Sequence, residues 1–205
     1  MLGRNDVVIS ACETLTSEIA SALAALDQAD RDGTESRFAT AAIRLLLFTG
    51  MRAGEVLGLR WCAFDRSGAC LRLADSKTGA RTIPLSSHAL AVLDQLPSGR
   101  PDELIFPGSN HTSPVAIARP WYRIRAAAGI DASANLHSLR HTFASWSVMG
   151  GLSLAQVGAL LGHKSAQTTL RYADHRLDAI RAYSQQVGDT FAAMPTLSPS
   201  SSGAA

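Results

Sequence analysis

The sequence predicts an α+β fold, predominantly α-helical, with a small antiparallel β-sheet or hairpin on one edge. Three observations carry this. Apolar residues recur at helical spacing along most of the chain, punctuated by serine caps and glycine stops. The period switches to two only between about Ala69 and Leu85. The composition, 46% hydrophobic and 18% charged over 205 residues, is that of a globular chain with enough mass for a sizeable core.

Thr14-Leu15-Thr16-Ser17-Glu18 reads as a capped helix start, followed by Ile19, Leu23 and Leu26 and closed by Asp30-Arg31-Asp32-Gly33. A strongly apolar helix is expected from about Ser36 to Phe48, broken at Thr49-Gly50. A second helix comes close behind it, with Val56, Leu57 and Leu59 packing inward. Cys70–Leu73 and Arg81–Leu85 form a hairpin with Lys77-Thr78-Gly79 in its turn, and Leu104-Ile105-Phe106 is expected as a third strand. A short helix spans His88 to Leu96. Ser113-Pro114 marks another helix start, and Pro120 should kink or interrupt that helix. The next helix carries Trp121 and Ile124 and ends at Gly129.

His137 to Val148 is helical and stops at Gly150-Gly151. Ser153 and Gln156 make a capping box, Leu154, Val157, Leu160 and Leu161 a buried face, and Gly162 a C-terminal cap. Ser165 caps a short helix bearing Tyr172. A last helix, Leu177 to Met194, places Leu177, Ile180, Tyr183, Val187 and Phe191 on one stripe. The expected organisation is an extension over 1–13, one folded domain over 14–194 and a disordered tail over 195–205.

Composition excludes several classes. No apolar run approaches the roughly 18 residues of a membrane span, and no basic stretch leads a long apolar core as in a signal peptide. Three scattered cysteines, Cys12, Cys62 and Cys70, fit a reducing cytoplasm rather than a disulfide framework. His137 and His141 share a helix face, but with no carboxylate or cysteine nearby no metal site is expected. Net charge is only +2, yet it is segregated. Residues 1–35 hold two basic and seven acidic residues, leaving 17 Lys/Arg against 10 Asp/Glu in the remainder. Arg119, Arg123 and Arg125 form one local cluster, and Arg171, Arg176 and Arg181 another. A segregated basic surface suits a polyphosphate partner; on charge alone, a solvated helix face explains it better.

Six residues together suggest a phosphate-handling site: Arg52, Lys77, His137, Arg140, His163 and Tyr172. A guanidinium presents a planar fork to two phosphate oxygens and stays charged at any cellular pH. His137 and Arg140, three apart, lie on one helical face. Imidazoles move protons near neutrality, and a phenol can attack once its proton is taken. For Arg52 the bland alternative is a salt bridge to Glu55; Glu55 itself is expected to be a structural partner that orients Arg52 rather than a catalyst.

These motifs resemble the catalytic domain of the tyrosine recombinase (phage integrase) family. The resemblance runs from about Thr14 to Tyr183, through Thr49-Gly50-Met51-Arg52-Ala53-Gly54-Glu55, the Lys77 hairpin, His137-Ser138-Leu139-Arg140-His141, Leu161-Gly162-His163 and Arg171-Tyr172. It implies a site-specific recombinase or integrase that breaks and rejoins DNA by transesterification, with Tyr172 as nucleophile and a 3′-phosphotyrosyl intermediate. Lys77 would protonate the departing 5′ oxygen, with Arg81 as its rival, and His163 would donate to the scissile phosphate. Arg81, His141, Lys164 and Arg171 are expected to contact DNA outside the reacting phosphate. No cofactor and no metal are implied. The partner implied is double-stranded DNA, held by a homotetramer on two sites, with protomers weakly associated or monomeric without it.

Members of the family usually carry an N-terminal helical domain that completes a clamp round the DNA. Only about 13 residues precede the first helix here, so the expectation is a catalytic domain alone, with weak affinity and poor site selectivity. A type IB topoisomerase-like relaxase shares the chemistry, and a DNA-binding remnant without full activity is a further alternative.

Overall fold

The computed structural model describes residues 4–73 and 80–162. Lys77, His163, Lys164, Arg171 and Tyr172 lie outside the described residues, as do the Ser165-capped helix, the Leu177–Met194 helix and the tail.

Helix α1 (Arg4–Asp32) begins about ten residues before the expected start at Thr14 and ends, as expected, at Gly33 with φ 63. The Thr14-to-Glu18 signal is therefore interior to a helix, a reminder that capping residues also occur mid-helix. Helix α2 (Arg37–Thr49) is the centre of the fold. Ser36 accepts from the Phe38 N–H at its start, and Gly50, at φ 61, closes it with an N–H bond to Leu46 O. Ile43, Leu45 and Leu46 are fully buried, and α2 touches α1 and four later helices. The short α3 (Ala53–Leu57) comes at once and buries Val56, with Leu59 buried just beyond it and Leu57 half-buried.

A 3-10 turn at Trp61–Ala63 leads to a three-stranded antiparallel sheet, β1 (Phe64–Asp65), β2 (Cys70–Leu73) and β3 (Arg81–Pro84), in the order β1-β2-β3. Leu71 faces Ile83 across the ladder and both are buried, whereas their neighbours Arg72 and Thr82 face outward as a period of two requires. The third strand is thus Phe64–Asp65 and not Leu104–Phe106. Leu104 makes one isolated bridge to Arg60, and Ile105 and Phe106 are buried in the core as irregular chain.

Helix α4 (Ser87–Asp94) is capped by Ser86. The Ser113-Pro114 signal does not open a helix: Pro114 bridges Pro107, and α5 (Ala118–Ala127) starts four residues later. Pro120 consequently falls in the first turn of α5, where an N–H has no helical partner to lose, so it neither kinks nor interrupts the helix. Trp121 is buried on α5 and donates Nε1–H to Ala134 O at 3.0 Å. Its neighbour Tyr122 is 50% exposed, with the Arg125 guanidinium 5.1 Å from its ring centre.

Helix α6 (Leu136–Met149) is capped by Asn135, which accepts from the N–H groups of His137 and Ser138. Helix α7 (Leu154–Leu161) has the expected Ser153/Gln156 capping box and ends at Gly162 with φ 66. The α6–α7 pair forms a small core of its own, Ala144, Val148, Val157 and Leu161, separate from the main core around α2. The two cores meet at Gly50. A methyl there would overlap the Phe143 ring and approach Leu161 Cδ2 to 2.8 Å, so only glycine lets α6 and α7 close on the end of α2.

Candidate active site

Arg52 sits between α2 and α3 because Gly50 turns the chain and Glu55 pins the new helix. The Arg52 N–H donates to Glu55 Oε2 at 3.0 Å, and Arg52 Nη1 donates to Glu55 Oε1 at 2.9 Å. Glu55 is a structural partner of Arg52, as expected, but it is shared. Arg81 Nη2 donates to the same Oε2 at 2.6 Å. The Glu55 and Arg81 side chains are 13% and 12% exposed, whereas Arg52 remains 37% exposed. One carboxylate thus holds two guanidiniums, one turned to solvent and one turned inward.

Arg140 reaches this corner from α6. It is a buried charge, 5% exposed, and it is bound by backbone carbonyls: Nη1 donates to Gly50 O at 2.7 Å and Nη2 to Leu161 O at 2.8 Å. A guanidinium bridging two orphan carbonyls at helix C-termini satisfies both the charge and the carbonyls. Gly50 lies two residues before Arg52, so this link brings the two sequence-distant arginines to one end of α2. Counting Arg52, Arg81 and Arg140 against Glu55, the cluster carries two surplus positive charges.

His137 and His141 are one turn apart on α6. Their ring centres are 4.5 Å apart at 83°, an edge-to-face contact, with His137 exposed and His141 half-buried. The structure therefore brings together Arg52, Arg81 and Arg140, and pairs His137 with His141. Lys77, His163, Lys164, Arg171 and Tyr172 are not among the residues it describes.

Arg81, expected to contact DNA or to rival Lys77, is held on Glu55. It opens β3 facing inward, on the same strand face as buried Ile83. Strand alternation was the available signal: residues i and i+2 share a face. Two of the three arginines of the α5 cluster are also engaged within the chain. Arg123 pairs with Glu35 through Nε and Nη2, and Arg125 donates to the carbonyls of Ala132 and Ala134. No group of three or more potential metal ligands occurs among the described residues. No described helix is long and apolar enough to cross a membrane.

A mainly helical domain with an edge sheet, which brings two guanidiniums to one carboxylate and a third to the nearby Gly50 carbonyl, is a scaffold suited to clamping an anion. The chain belongs to the phage integrase family, whose sequence profile matches residues 13–178. It is 32% identical over 139 residues to tyrosine recombinase XerC of Agrobacterium fabrum (strain C58), covering 64% of this chain and 44% of the relative. The chain thus spans about half the length of the curated relatives it matches. Its fold matches the crystal structure of XerA recombinase at TM-score 0.65 and 23% identity, over 82% of this chain and 61% of that one. It also matches XerH site-specific recombinase bound to its difH substrate, at TM-score 0.63 and 23% identity, over 76% and 48%.

Proposed function

We propose that this chain is the catalytic domain, spanning about residues 14–194, of a tyrosine-type site-specific DNA recombinase. The observation that carries the reading is the convergence of Arg52 and Arg140 at Gly50 in a chain of this family. Two fixed guanidiniums suit the non-bridging oxygens of a phosphodiester, where charge builds up in a pentacoordinate transition state. Tyr172 attacks the phosphorus, the 3′-phosphotyrosyl bond forms and the 5′ oxygen leaves. A phenol of ordinary pKa near 10 must lose its proton to attack at neutral pH. His137, exposed at the head of α6, takes that proton, and Lys77 supplies one to the leaving oxygen. The 5′ hydroxyl of a partner strand then reverses the step. The phosphodiester's energy is held in the covalent bond, so rejoining needs no ATP.

The partner is double-stranded DNA, as the XerH–difH complex has for that protein. Exchange between two duplexes requires four cuts, hence four protomers on two sites, acting in the cytoplasm where such DNA resides. The test uses a nicked duplex that releases a short strand on cleavage and so traps the intermediate. A covalent protein–DNA adduct is expected, and Tyr172→Phe should abolish it. Adduct formation by the phenylalanine variant would refute the nucleophile assignment.

A further inference from the structure

We infer that Arg81 is a positioning residue for the phosphate clamp, acting through Glu55 on Arg52. The inference rests on the proposed recombinase function. Three features of the structure carry it.

The first is the shared carboxylate. Glu55 Oε1 accepts from Arg52 Nη1, and Oε2 accepts from both the Arg52 N–H and Arg81 Nη2. The direction in which Arg52 points is therefore set by where Glu55 is held. Arg81 is the group that holds Glu55 from the inner side. The second is charge. A lone Glu55–Arg52 pair is neutral and would blunt the pull of Arg52 on the extra charge that builds up in the transition state. With Arg81 the trio keeps one net positive charge, carried at its solvent-facing end by Arg52.

The third is confinement. Arg81 Nε and Nη1 are buried and have no hydrogen-bond partner among the described residues. Leaving donors of a charged group unsatisfied is costly, so a site retains them only where another contact dictates the placement. That contact is Gly162. A methyl group on Gly162 would overlap Arg81 Nη1 and come within 2.7 Å of Cζ. The guanidinium is wedged between the α3 carboxylate and the α7 terminus, and glycine at that terminus leaves it room. Arg81 is also the first residue of β3, paired with Leu73 at the last position of β2. The return strand of the Lys77 hairpin is thereby tied to the clamp at its first residue.

The experiment measures single-turnover adduct formation by the full chain on the nicked duplex at saturating DNA, beside DNA affinity and its salt dependence. Arg81→Met should slow adduct formation about 100-fold, the scale of a displaced catalytic group, with DNA affinity and salt slope unchanged. Arg81→Lys, which keeps the charge, should recover part of the rate. Arg52→Ala combined with Arg81→Met should be no slower than Arg52→Ala alone, because a residue acting through another adds nothing once that other is gone. Arg81→Gln, which removes the charge but keeps a polar side chain, should also slow the reaction; it carries the test if circular dichroism shows Arg81→Met unfolded.

Multiplicative loss in the double variant, or full activity in either Arg81→Met or Arg81→Gln, would overturn the inference. So would a salt slope reduced by about one, the signature of a phosphate contact. Absence of any adduct from the unsubstituted chain would overturn the proposed reaction and this inference with it. Adduct formation by the unsubstituted chain isolates a failure of the inference alone.

Discussion

The two arginines of the clamp are held by opposite means. Arg52 is anchored by a carboxylate and stays 37% exposed, whereas Arg140 is anchored by the carbonyls of Gly50 and Leu161 and is 5% exposed. A carboxylate anchor subtracts charge from its arginine and has to be offset, which is the part assigned to Arg81. Carbonyl anchors subtract no net charge, but they commit the arginine to the fold, because the helix ends it joins depend on it. One arginine is therefore separable from stability and the other is not. The difference comes from position. Arg52 lies at the start of α3, where a nearby Glu can cap the helix. Arg140 lies inside α6, between the main core and the α6–α7 core.

The largest expected effect is Arg140→Ala. It removes two charge-assisted hydrogen bonds and leaves two buried carbonyls without these partners. The expected loss is about 3 kcal/mol of stability, a drop of roughly 10 °C in Tm for a domain of this size. Adduct formation should fall at least about 100-fold as well. Thermal unfolding and adduct yield, measured on the same preparation, check both. Unchanged Tm with lost activity would erase the distinction between the two anchors.

Arg52→Ala should separate what Arg140→Ala joins. The Arg52 N–H bond to Glu55 survives the substitution, so the cap of α3 is retained. A partly exposed ion pair contributes at most about 1 kcal/mol, so Tm should move by only a few degrees. Adduct formation should fall about 100- to 1000-fold. A stability loss matching that of Arg140→Ala would show that Arg52 is structural and would remove the asymmetry.

Much of this arrangement was legible in the residues. Ser36, Ser153, Gly50 and Gly162 mark the ends of α2 and α7 because caps and left-handed turns admit few residue types. The same chemistry misleads where it is reused. Ser113-Pro114 has the letters of a helix start but forms a bridge to Pro107, and Thr14 to Glu18 lies within α1. Strand β1 has two residues, too few for alternation to register, and is held by the hydrogen bonds of Asp65 around a tight turn. Within the site, residue types pointed to Arg52 and Arg140. That Arg140 grips the carbonyl two residues before Arg52 is invisible at a separation of 90 positions, because carbonyls leave no mark in a sequence. Arg81 was legible in kind but not in burial: its inward face is implied by Ile83, yet hairpins also present arginines outward, as Arg72 does.

The smallest expected effect tests whether burial, rather than pairing itself, gives these contacts their weight. Asp65 and Arg72 form a guanidinium–carboxylate pair on the outer face of the sheet, with Nη2 to Oδ2 at 2.6 Å. The Gly68 N–H, then the Ser67 hydroxyl, then Arg72 stabilise the carboxylate and lower its pKa from 3.8 to about 2. A carboxyl group whose folded pKa is depressed binds fewer protons folded than unfolded. Its stabilisation is present above the unfolded value near 3.8 and is lost as pH falls through about 2. Asp65→Asn removes this pH-dependent contribution, while its side-chain oxygen can still accept from Gly68. Between pH 5 and 2, the Tm of the unsubstituted chain should fall more steeply than that of Asp65→Asn, and the two curves should draw together toward pH 2. At pH 7 the substitution should cost far less than Arg140→Ala, because an exposed pair is screened by water and salt. An equal cost at pH 7 would mean that pairing alone, irrespective of burial, fixes these side chains, and the contrast between Arg52 and Arg140 would have to be explained another way.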